Sequence, residues 1–328
     1  MKISRPVLLA ALATPLTACS GSQSVLEPSG PHADAIWRIG WIMFTGGALI
    51  FLLVIGLTVL TIILPQERRR WLAQQNVVIA GGIVFPVAVL SLLLGYGFFV
   101  TRGHVGAEEP TLRIEVIGEQ WWWRVRYLDE SGGVRFATAN EIRVPAGEPV
   151  EFILKSADVI HSFWVPSLAG KLDMVPGKVN TYTFSADKPG VYRGQCAEYC
   201  GAQHALMAFY LVAMEPGSFD AWAAGQADPA WDRVAAELKY GRDLFIANGC
   251  GACHTVRGTP ATGDLGPDLT HVGGRLSIGA GTLPTNIGTL AGWISSTQHV
   301  KPGVSMPSFG NLESRDLRAI AAYLESLE

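Results

Sequence analysis

The sequence predicts a multidomain membrane protein in which a two-helix transmembrane hairpin precedes a β-sandwich and a small all-α domain. Three observations along the 328 residues predict this order. Two long apolar stretches come first, short β-type runs punctuated by Gly and Pro follow, and helical patterns end the chain. The formal net charge of −3, without a basic patch interleaved with aromatics, excludes nucleic acid as a partner.

Residues 1–18 are predicted to be an export signal of the lipoprotein type. Lys2 and Arg5 give a positive start, Val7–Leu16 is an apolar run, and Leu-Thr-Ala then precedes Cys19. We expect cleavage before Cys19 and lipidation of that cysteine. The alternative is an ordinary signal peptide cut nearby, with Cys19 incidental. Either reading puts the mature N-terminus outside the cytoplasm.

Residues 35–101 are predicted to form the transmembrane hairpin. Ile39–Leu64 and Val77–Val100 contain no charged side chain, and each is longer than the roughly 20 residues that cross the hydrocarbon core as a helix. Three consecutive arginines at 68–70 place the connecting loop in the cytoplasm. We therefore expect a two-pass protein of the bacterial inner membrane, in contact with lipid, whose later domains are periplasmic. Two buried soluble helices are the alternative.

Residues 108–215 are predicted to form a β-sandwich or a barrel, because short β-type runs alternate with turn signals. Examples of these runs are Leu112–Ile117, Trp121–Tyr127, Glu141–Val144, Val150–Leu154, Asn180–Phe184 and Ala208–Ala213. Small and polar residues at 216–235 indicate a linker. In the last domain, 236–328, helical spacing predicts helices at Glu237–Asn248 and Glu313–Leu327.

The segment 196–207 concentrates soft metal ligands. Candidate ligands are two thiols, an imidazole, a thioether and one further imidazole upstream, in Cys196, Cys200, His204, Met207 and His161. Such soft sets favour copper. Two thiolates can bridge two copper ions, each with one terminal histidine. Met207 and the backbone carbonyl of Glu198 would then be weak ligands, one to each ion.

Two other readings of the same residues stay open. Four of them, His161, Cys196, Cys200 and His204, could hold a structural zinc ion in a closed tetrahedral site. Met207 and Glu198 have no purpose in such a site, which favours copper. A disulfide between Cys196 and Cys200 is the other alternative.

The pattern Cys-x-Glu-x-Cys-Gly-x-x-His-x-x-Met at 196–207 resembles the CuA loop of cytochrome c oxidase subunit II. The segments 158–166, 171–180 and 118–123 are also similar to that family, and with the hairpin the resemblance covers about residues 35–215. It implies a cupredoxin-like sandwich with a dinuclear CuA centre.

The same resemblance implies roles for further residues. Trp121 matches the tryptophan through which electrons reach the copper, whereas Trp122 and Trp123 are expected in the core. The Glu198 side chain matches a residue that helps to hold magnesium at the boundary with subunit I. One position departs from the family: Ile79 stands where many members carry a glutamate near a proton pathway, which leaves the residue of proton uptake undefined.

Residues 250–254 form a Cys-x-x-Cys-His motif, the attachment pattern of c-type haem. Cys250 and Cys253 would bind the haem covalently, and His254 would be the proximal iron ligand. A redox-active Cys-x-x-Cys is the alternative, but it does not require the histidine. Met306 is the predicted sixth ligand.

Residues 236–328 resemble class I cytochrome c domains, on Gly266-Pro267-Asp268-Leu269, Trp293 and the approach to Met306. His271 and His299 are the alternative sixth ligands, and His271 is otherwise expected beside the haem edge or on the surface. Arg275 is a candidate partner for a haem propionate, or else a solvated surface arginine.

The two resemblances together imply an oxidoreductase subunit in which electrons pass from cytochrome c, or from the fused haem, through CuA to subunit I. Oxygen is reduced there and protons are pumped. Subunit III and a quinol–cytochrome c reductase are further expected partners. A quinol oxidase subunit lacks the CuA ligands, and a nitrous oxide reductase lacks the two-helix anchor. A membrane-anchored copper or haem carrier serving another reductase is the remaining alternative.

Overall fold

The computed structural model of the chain describes residues 21, 23–103, 109–230 and 238–328. The predicted export signal and Cys19 lie outside these ranges. The chain divides into two compact units, Asp34–Ala107 and a second unit of Met1–Ala33 with Glu108–Glu328.

The unit Asp34–Ala107 contains the two apolar helices predicted from sequence. Helix α1 spans Pro31–Ile63, and α2 spans Gln75–Arg102 with a π-helical turn at Ala80–Val84. A short helix at Gln66–Arg69 carries part of the arginine cluster between them. The mean hydropathy of their most apolar windows is 2.6 and 2.7, and no residue of those windows is buried. Both helices are therefore long and apolar enough to cross a membrane, while the two-pass topology stays a prediction.

The region 112–214 is a β-sandwich of two five-stranded sheets. The first sheet has the order β3-β2-β1-β5-β8 and the second the order β4-β10-β9-β6-β7. Their bounds are β1 Leu112–Glu119, β2 Trp122–Leu128, β3 Val134–Ala139, β4 Glu141–Pro145, β5 Val150–Ser156, β6 His161–Trp164, β7 Leu172–Met174, β8 Asn180–Phe184, β9 Gly190–Cys196 and β10 Ala208–Met214. The predicted sandwich is confirmed.

Buried and half-buried residues alternate along the strands, and the buried ones form the core between the two sheets. In β2, Trp123, Val125 and Tyr127 are buried while their neighbours are half-buried, as a period of two requires. The ring of Trp123 lies edge-on to that of Phe209 from the opposite sheet, with centroids 5.1 Å apart. Trp123 is thus a core residue, as predicted, whereas Trp122 is half-buried with the Arg124 guanidinium over its ring.

The first half of the predicted linker is instead a helix that belongs to the sandwich. Helix α3 spans Pro216–Ala227, and its Phe219 and Ala223 side chains are buried in the sandwich core. Trp222 packs edge-on against Tyr127 at 5.5 Å. The segment shows no helical pattern of apolar residues in the sequence, because most of its residues are small or polar and only two of its side chains are buried. Residues 231–235 of the predicted linker lie outside the described ranges.

The C-terminal domain is mainly helical, with one two-stranded ribbon. Its elements are α4 Lys239–Ala247, a 3₁₀ turn at Cys250–Ala252, β11 Ser277–Ile278, β12 Leu283–Pro284, α5 Ile287–Val300 and α6 Ser314–Glu325. The predicted terminal helices are confirmed with slightly shorter bounds, but α5 was not predicted. At Gly241 an added Cβ would lie 2.0 Å from the carbonyl oxygen of Ala319, so only glycine permits α4 to approach α6 this closely.

Candidate metal and haem sites

Neighbouring strands of the second sheet bring the copper-ligand candidates together. His161 begins β6, Cys196 ends β9, and Met207 stands directly before β10. The strand order places β9 between the other two. The Cys196 amide donates to the Met207 carbonyl at 2.9 Å, which closes the intervening loop at its base.

The donor atoms of all five predicted ligand side chains form one cluster. The Sγ atoms of Cys196 and Cys200 are 3.8 Å apart, and the Cys196 Sγ lies 3.1 Å from the carbonyl oxygen of Glu198. The Nδ1 atom of His161 lies 3.9 Å from the Cys196 Sγ. On the other side, the Cys200 Sγ is 3.6 Å from His204 Nδ1 and 3.8 Å from Met207 Sδ. The six predicted copper ligands, including the Glu198 carbonyl, are therefore adjacent.

A contact with the partly exposed Asp158 carboxylate orients His161. The His161 side chain is fully buried, and its Nε2 lies 2.7 Å from Oδ1 of Asp158, which leaves Nδ1 to face Cys196. Oδ2 of Asp158 accepts a hydrogen bond from the Gln120 amide at 2.7 Å. A carboxylate on the outer nitrogen of a ligand histidine fixes the ring and its tautomer. Sequence reasoning missed this role of Asp158, although its position three residues before a ligand histidine was a usable signal.

The electrostatics of the cluster favour one thiolate before any metal binds. Burial disfavours the charged forms, but the hydrogen bond with His161 nevertheless lowers the pKa of Cys196 below that of a free thiol. Burial and the neighbouring Cys196 raise the pKa of Cys200. Hydrogen bonds to Cys196 and Asp158 outweigh burial and raise the pKa of His161. Cation binding would therefore have to displace a proton from Cys200.

The donor set fits copper better than the two alternatives. Both thiols are free, so the structure contains no disulfide between Cys196 and Cys200. Met207 is 1% exposed, with its thioether in contact with Cys200, and a closed zinc site has no use for that donor. Two thiolates, two imidazoles and a thioether are the soft set that copper prefers.

Trp121 lies directly over the copper loop. Its indole N–H donates to the Cys200 carbonyl at 2.9 Å, and the Gln120 side-chain amide donates to the same oxygen at 2.7 Å. Gly201 follows with a φ of +115°, and a Cβ there would meet the Trp121 ring at 3.1 Å. One hydrogen bond thus separates the indole from the main chain of a candidate ligand.

The Glu198 side chain points away from the thiols, although its carbonyl lies among the copper-ligand candidates. Its carboxylate is 43% exposed and lies 3.6 Å from the Lys171 ammonium, which also contacts Asp173 at 3.0 Å. Among the described residues, the cationic partner of the Glu198 carboxylate is therefore the Lys171 ammonium.

The haem-attachment residues occupy a turn and loop after α4. Gly249 adopts a φ of +76° and starts the 3₁₀ turn that holds the half-buried Cys250, while Cys253 is exposed. His254 Nδ1 lies 2.8 Å from the Pro267 carbonyl, and burial lowers its pKa. A neutral ring that donates through Nδ1 leaves Nε2 free to bind iron. The ring is held so closely that a Cβ at Gly266 would lie 2.7 Å from it.

The three candidates for the sixth iron ligand differ in their surroundings. Met306 is half-buried and packs against the core of the C-terminal domain. The Gln298 side-chain amide donates to the carbonyls of Met306 and Val304 at 2.7 Å each. His299 is exposed on α5. His271 is buried rather than on the surface, and its two ring nitrogens lie 2.9 and 3.0 Å from the carbonyls of Glu328 and Asp228. These contacts favour Met306.

Buried polar atoms in the C-terminal domain fit a bound group that carries acidic substituents. Among the described residues, four such atoms there have no hydrogen-bond partner: Arg275 Nε, Ser277 Oγ, Thr285 Oγ1 and Tyr323 Oη. The Arg275 guanidinium is buried rather than solvated, and it donates through Nη2 to the Asp268 carbonyl. Unpartnered buried donors are rare without a missing ligand or water, and the role of Arg275 as a partner for a haem propionate stays a prediction.

Comparison with known proteins gives matches in both domains. Residues 128–214 match the family model for the periplasmic domain of cytochrome C oxidase subunit II, and residues 238–328 match the one for cytochrome c. A cytochrome c oxidase subunit 2 from Alkalihalophilus pseudofirmus is 35% identical over 343 residues, covering 99% of this chain and 97% of that protein. The protein of that name from Bacillus sp. (strain PS3) is 32% identical, covering 67% of this chain and 64% of its own length. The one from Bacillus subtilis is 29% identical, covering 75% of this chain and 70% of its own length.

Proposed function

The chain belongs to the cytochrome c oxidase subunit 2 family, and from that premise we propose that it passes electrons from its C-terminal haem domain to a CuA centre and on to subunit I. Oxygen reduction to water and proton pumping would take place in subunit I. The donor is proposed to be a cytochrome c or a quinol–cytochrome c reductase, and subunit III a further partner.

One observation carries the proposal. The donor atoms of His161, Cys196, Cys200, His204 and Met207 already form one cluster, with successive distances of 3.6 to 3.9 Å. The two thiols, the two imidazoles and the thioether would hold the copper. When bound, such a centre supplies one-electron redox chemistry, and fixed ligands limit the rearrangement that each transfer requires.

The haem site is proposed to supply the same kind of chemistry. Cys250 and Cys253 would hold the group covalently, and His254 and Met306 would bind its iron. Histidine–methionine ligation raises the potential of a c-type haem. The fusion keeps donor and acceptor at high effective concentration, so that electron transfer does not depend on diffusional encounter.

Two further roles are proposed on the family resemblance and on local geometry. Trp121 would carry electrons towards the copper, which its hydrogen bond to the Cys200 carbonyl supports. The Glu198 carboxylate would contact a magnesium ion shared with subunit I, where its partial exposure leaves it accessible. Helices α1 and α2 would anchor the chain as a two-pass protein of the bacterial inner membrane, with both redox domains periplasmic.

Metal analysis of the full-length protein tests the proposal. The protein would be purified in detergent from a host that attaches haem c, loaded with copper, and examined by elemental analysis and by optical and electron paramagnetic resonance spectroscopy. We expect a pair of copper ions in a mixed-valence signal together with a single haem iron. A zinc ion, or an isolated copper ion, in the Cys196 cluster would overturn the CuA assignment.

A further inference from the structure

A buried lysine joins the C-terminal domain to the sandwich. Lys301 follows α5 and is 1% exposed. Its Nζ donates to the carbonyl oxygens of Trp121 at 2.7 Å and Leu206 at 2.8 Å, both in the sandwich, and to that of Gly279 in its own domain at 3.1 Å. A single side chain therefore binds main-chain groups of both redox domains.

The three acceptors require the ammonium form of this lysine. An ammonium group has three donors, one for each carbonyl. A buried cation is costly unless its donors are satisfied, and burial lowers the pKa of Lys301 to about 7. Lysine side chains at ordinary surfaces extend their charged end into water. The burial of this one is consistent with a specific docking role.

The carbonyls that Lys301 binds belong to the segments around the copper site. Leu206 lies between the ligand candidates His204 and Met207, and Trp121 donates to the Cys200 carbonyl. The residues after Lys301 make the same contact: the Gln203 amide donates to the Pro302 carbonyl at 2.6 Å, and a Cβ at Gly303 would lie 3.7 Å from the Trp121 ring. The loop that leads to Met306 therefore rests on Trp121.

Contacts farther from Lys301 set the orientation of the two domains. Arg143 donates to the Gly274 carbonyl at 2.7 Å, and the buried Glu141 carboxylate accepts the Leu276 amide at 2.7 Å. The Ala208 amide, at the first residue of β10, donates to the Ala280 carbonyl at 3.0 Å. Donors from both domains therefore contribute to the contact, and together these hydrogen bonds hold the two domains in the orientation described.

We infer that Lys301 is a positioning residue that, with the surrounding hydrogen bonds, docks the haem domain on the sandwich and holds its Met306 loop over Trp121. The inference rests on the proposed function and deepens it, because it specifies where the two domains exchange electrons. The exchange makes and breaks no bond: the electron lost by the reduced C-terminal domain is the one gained by the copper-bearing domain. An external protein donor cannot dock on this face of Trp121 while the domain occupies it, so the donor must deliver to the haem domain.

The test compares Lys301→Met with Lys239→Met in the full-length chain assembled with its oxidase partners. Methionine keeps an unbranched apolar stem but removes the charge and the donors, and Lys239 is an exposed lysine of the same domain. Truncating a buried, hydrogen-bonded charge at an interface weakens the contact substantially. We expect Lys301→Met to slow haem-to-copper electron transfer, followed by rapid-mixing absorbance, by at least about tenfold. Haem content, copper content and both midpoint potentials should stay unchanged.

The outcomes separate the docking inference from the function on which it rests. Lys239→Met should transfer electrons at the wild-type rate. A wild-type rate in Lys301→Met would overturn the docking role and leave the relay intact. A wild-type protein whose haem does not reduce its copper would instead overturn the proposed function.

Hydrogen exchange at the Ala208 amide tests the docking even if the variant assembles poorly. That amide bonds only across the two domains in the described structure, so the docked arrangement predicts slow exchange in the wild-type holoprotein. If the Ala208 amide exchanges at an unprotected rate while the neighbouring β10 amides stay protected, the domains are undocked and the inference is wrong.

Discussion

The copper and haem regions differ in how much of each site the polypeptide builds without its cofactor. Two of the copper-ligand candidates, His161 and Cys196, lie on neighbouring strands, and Met207 stands directly before a third. Cys200 and His204 lie in the loop that these strands close, and His161 is further oriented by Asp158. In the haem domain, the attachment residues Cys250 and Cys253 occupy a turn and loop and lie on no strand. The comparison indicates a preformed site in the sandwich and a site in the smaller domain that its cofactor completes.

The largest expected effect is on the haem domain. Replacing both attachment cysteines, Cys250→Ala with Cys253→Ala, removes the covalent haem and leaves a small core around unsatisfied polar groups. We expect the unfolding transition of that domain to fall by at least about 10 °C, or to be lost. Scanning calorimetry with haem staining on denaturing gels measures this. Copper content should stay at the wild-type level, and an unshifted domain transition would contradict the comparison.

The matching change in the sandwich is Cys196→Ser. It removes one of the two thiols proposed to hold the copper, so the mixed-valence copper signal should disappear while covalent haem is retained. Because strands and not metal build the fold here, the copper-free variant should unfold within about 5 °C of the copper-free wild type. Spectroscopy and calorimetry on the same samples give both results. An unfolding temperature of the variant far below that of the copper-free wild type would show that the copper site is no more preformed than the haem site.

A smaller effect is expected from Asp158→Asn, which keeps the shape but weakens the contact with His161. Loss of an outer carboxylate on a ligand histidine lowers metal affinity by about 10- to 100-fold. Competition with a copper chelator measures the affinity. The control is Asp187→Asn, an exposed carboxylate of the same domain, which should bind copper as the wild type does. Equal affinities in the two variants would remove Asp158 from the site.

Local sequence identified side chains that the structure brings together better than it predicted the elements between them. The copper ligands lie within twelve residues apart from His161, and the haem attachment is contiguous, so spacing alone was informative. The runs named from sequence do not include β3, β6, β7 and β9, and of these β6 and β7 have only four and three residues. Such short strands give too few alternations for a period to show.

Features that depend on tertiary contacts could not be predicted from local patterns. Helix α3 was taken for a linker, because only Phe219 and Ala223 are buried in the core. Helix α5 has a non-helical residue at Ser296, which interrupts its apolar pattern. The burial of Lys301 depends on carbonyls up to 180 residues away in sequence, and no local sequence motif predicts such a contact.

The smallest expected effect tests whether local backbone contacts stabilise the sandwich independently of copper. Asp129 lies in the β2–β3 turn, where its Oδ1 accepts hydrogen bonds from the Ser131 hydroxyl at 2.6 Å and from the Ser131 and Gly133 amides at 2.9 and 2.8 Å. These bonds, the Ser131 hydroxyl first, lower the pKa of the Asp129 carboxyl. A carboxylate whose pKa is depressed by folding stabilises the fold above its unfolded pKa, about 3.9, and loses that contribution as the pH falls through the folded value.

Asp129→Asn should therefore lower the sandwich unfolding temperature at pH 7 by a few degrees, about 4 °C at most, because the group is exposed. The difference from wild type should shrink as the pH falls below about 4, since the wild-type carboxylate is then protonated as well. Thermal unfolding of the copper-free protein between pH 3 and 7, with exposed Glu130→Gln as the control, measures both. A difference that appears only in copper-loaded protein would mean that metal, and not the turn, sets the stability of this region, and the contrast with the haem domain would fail.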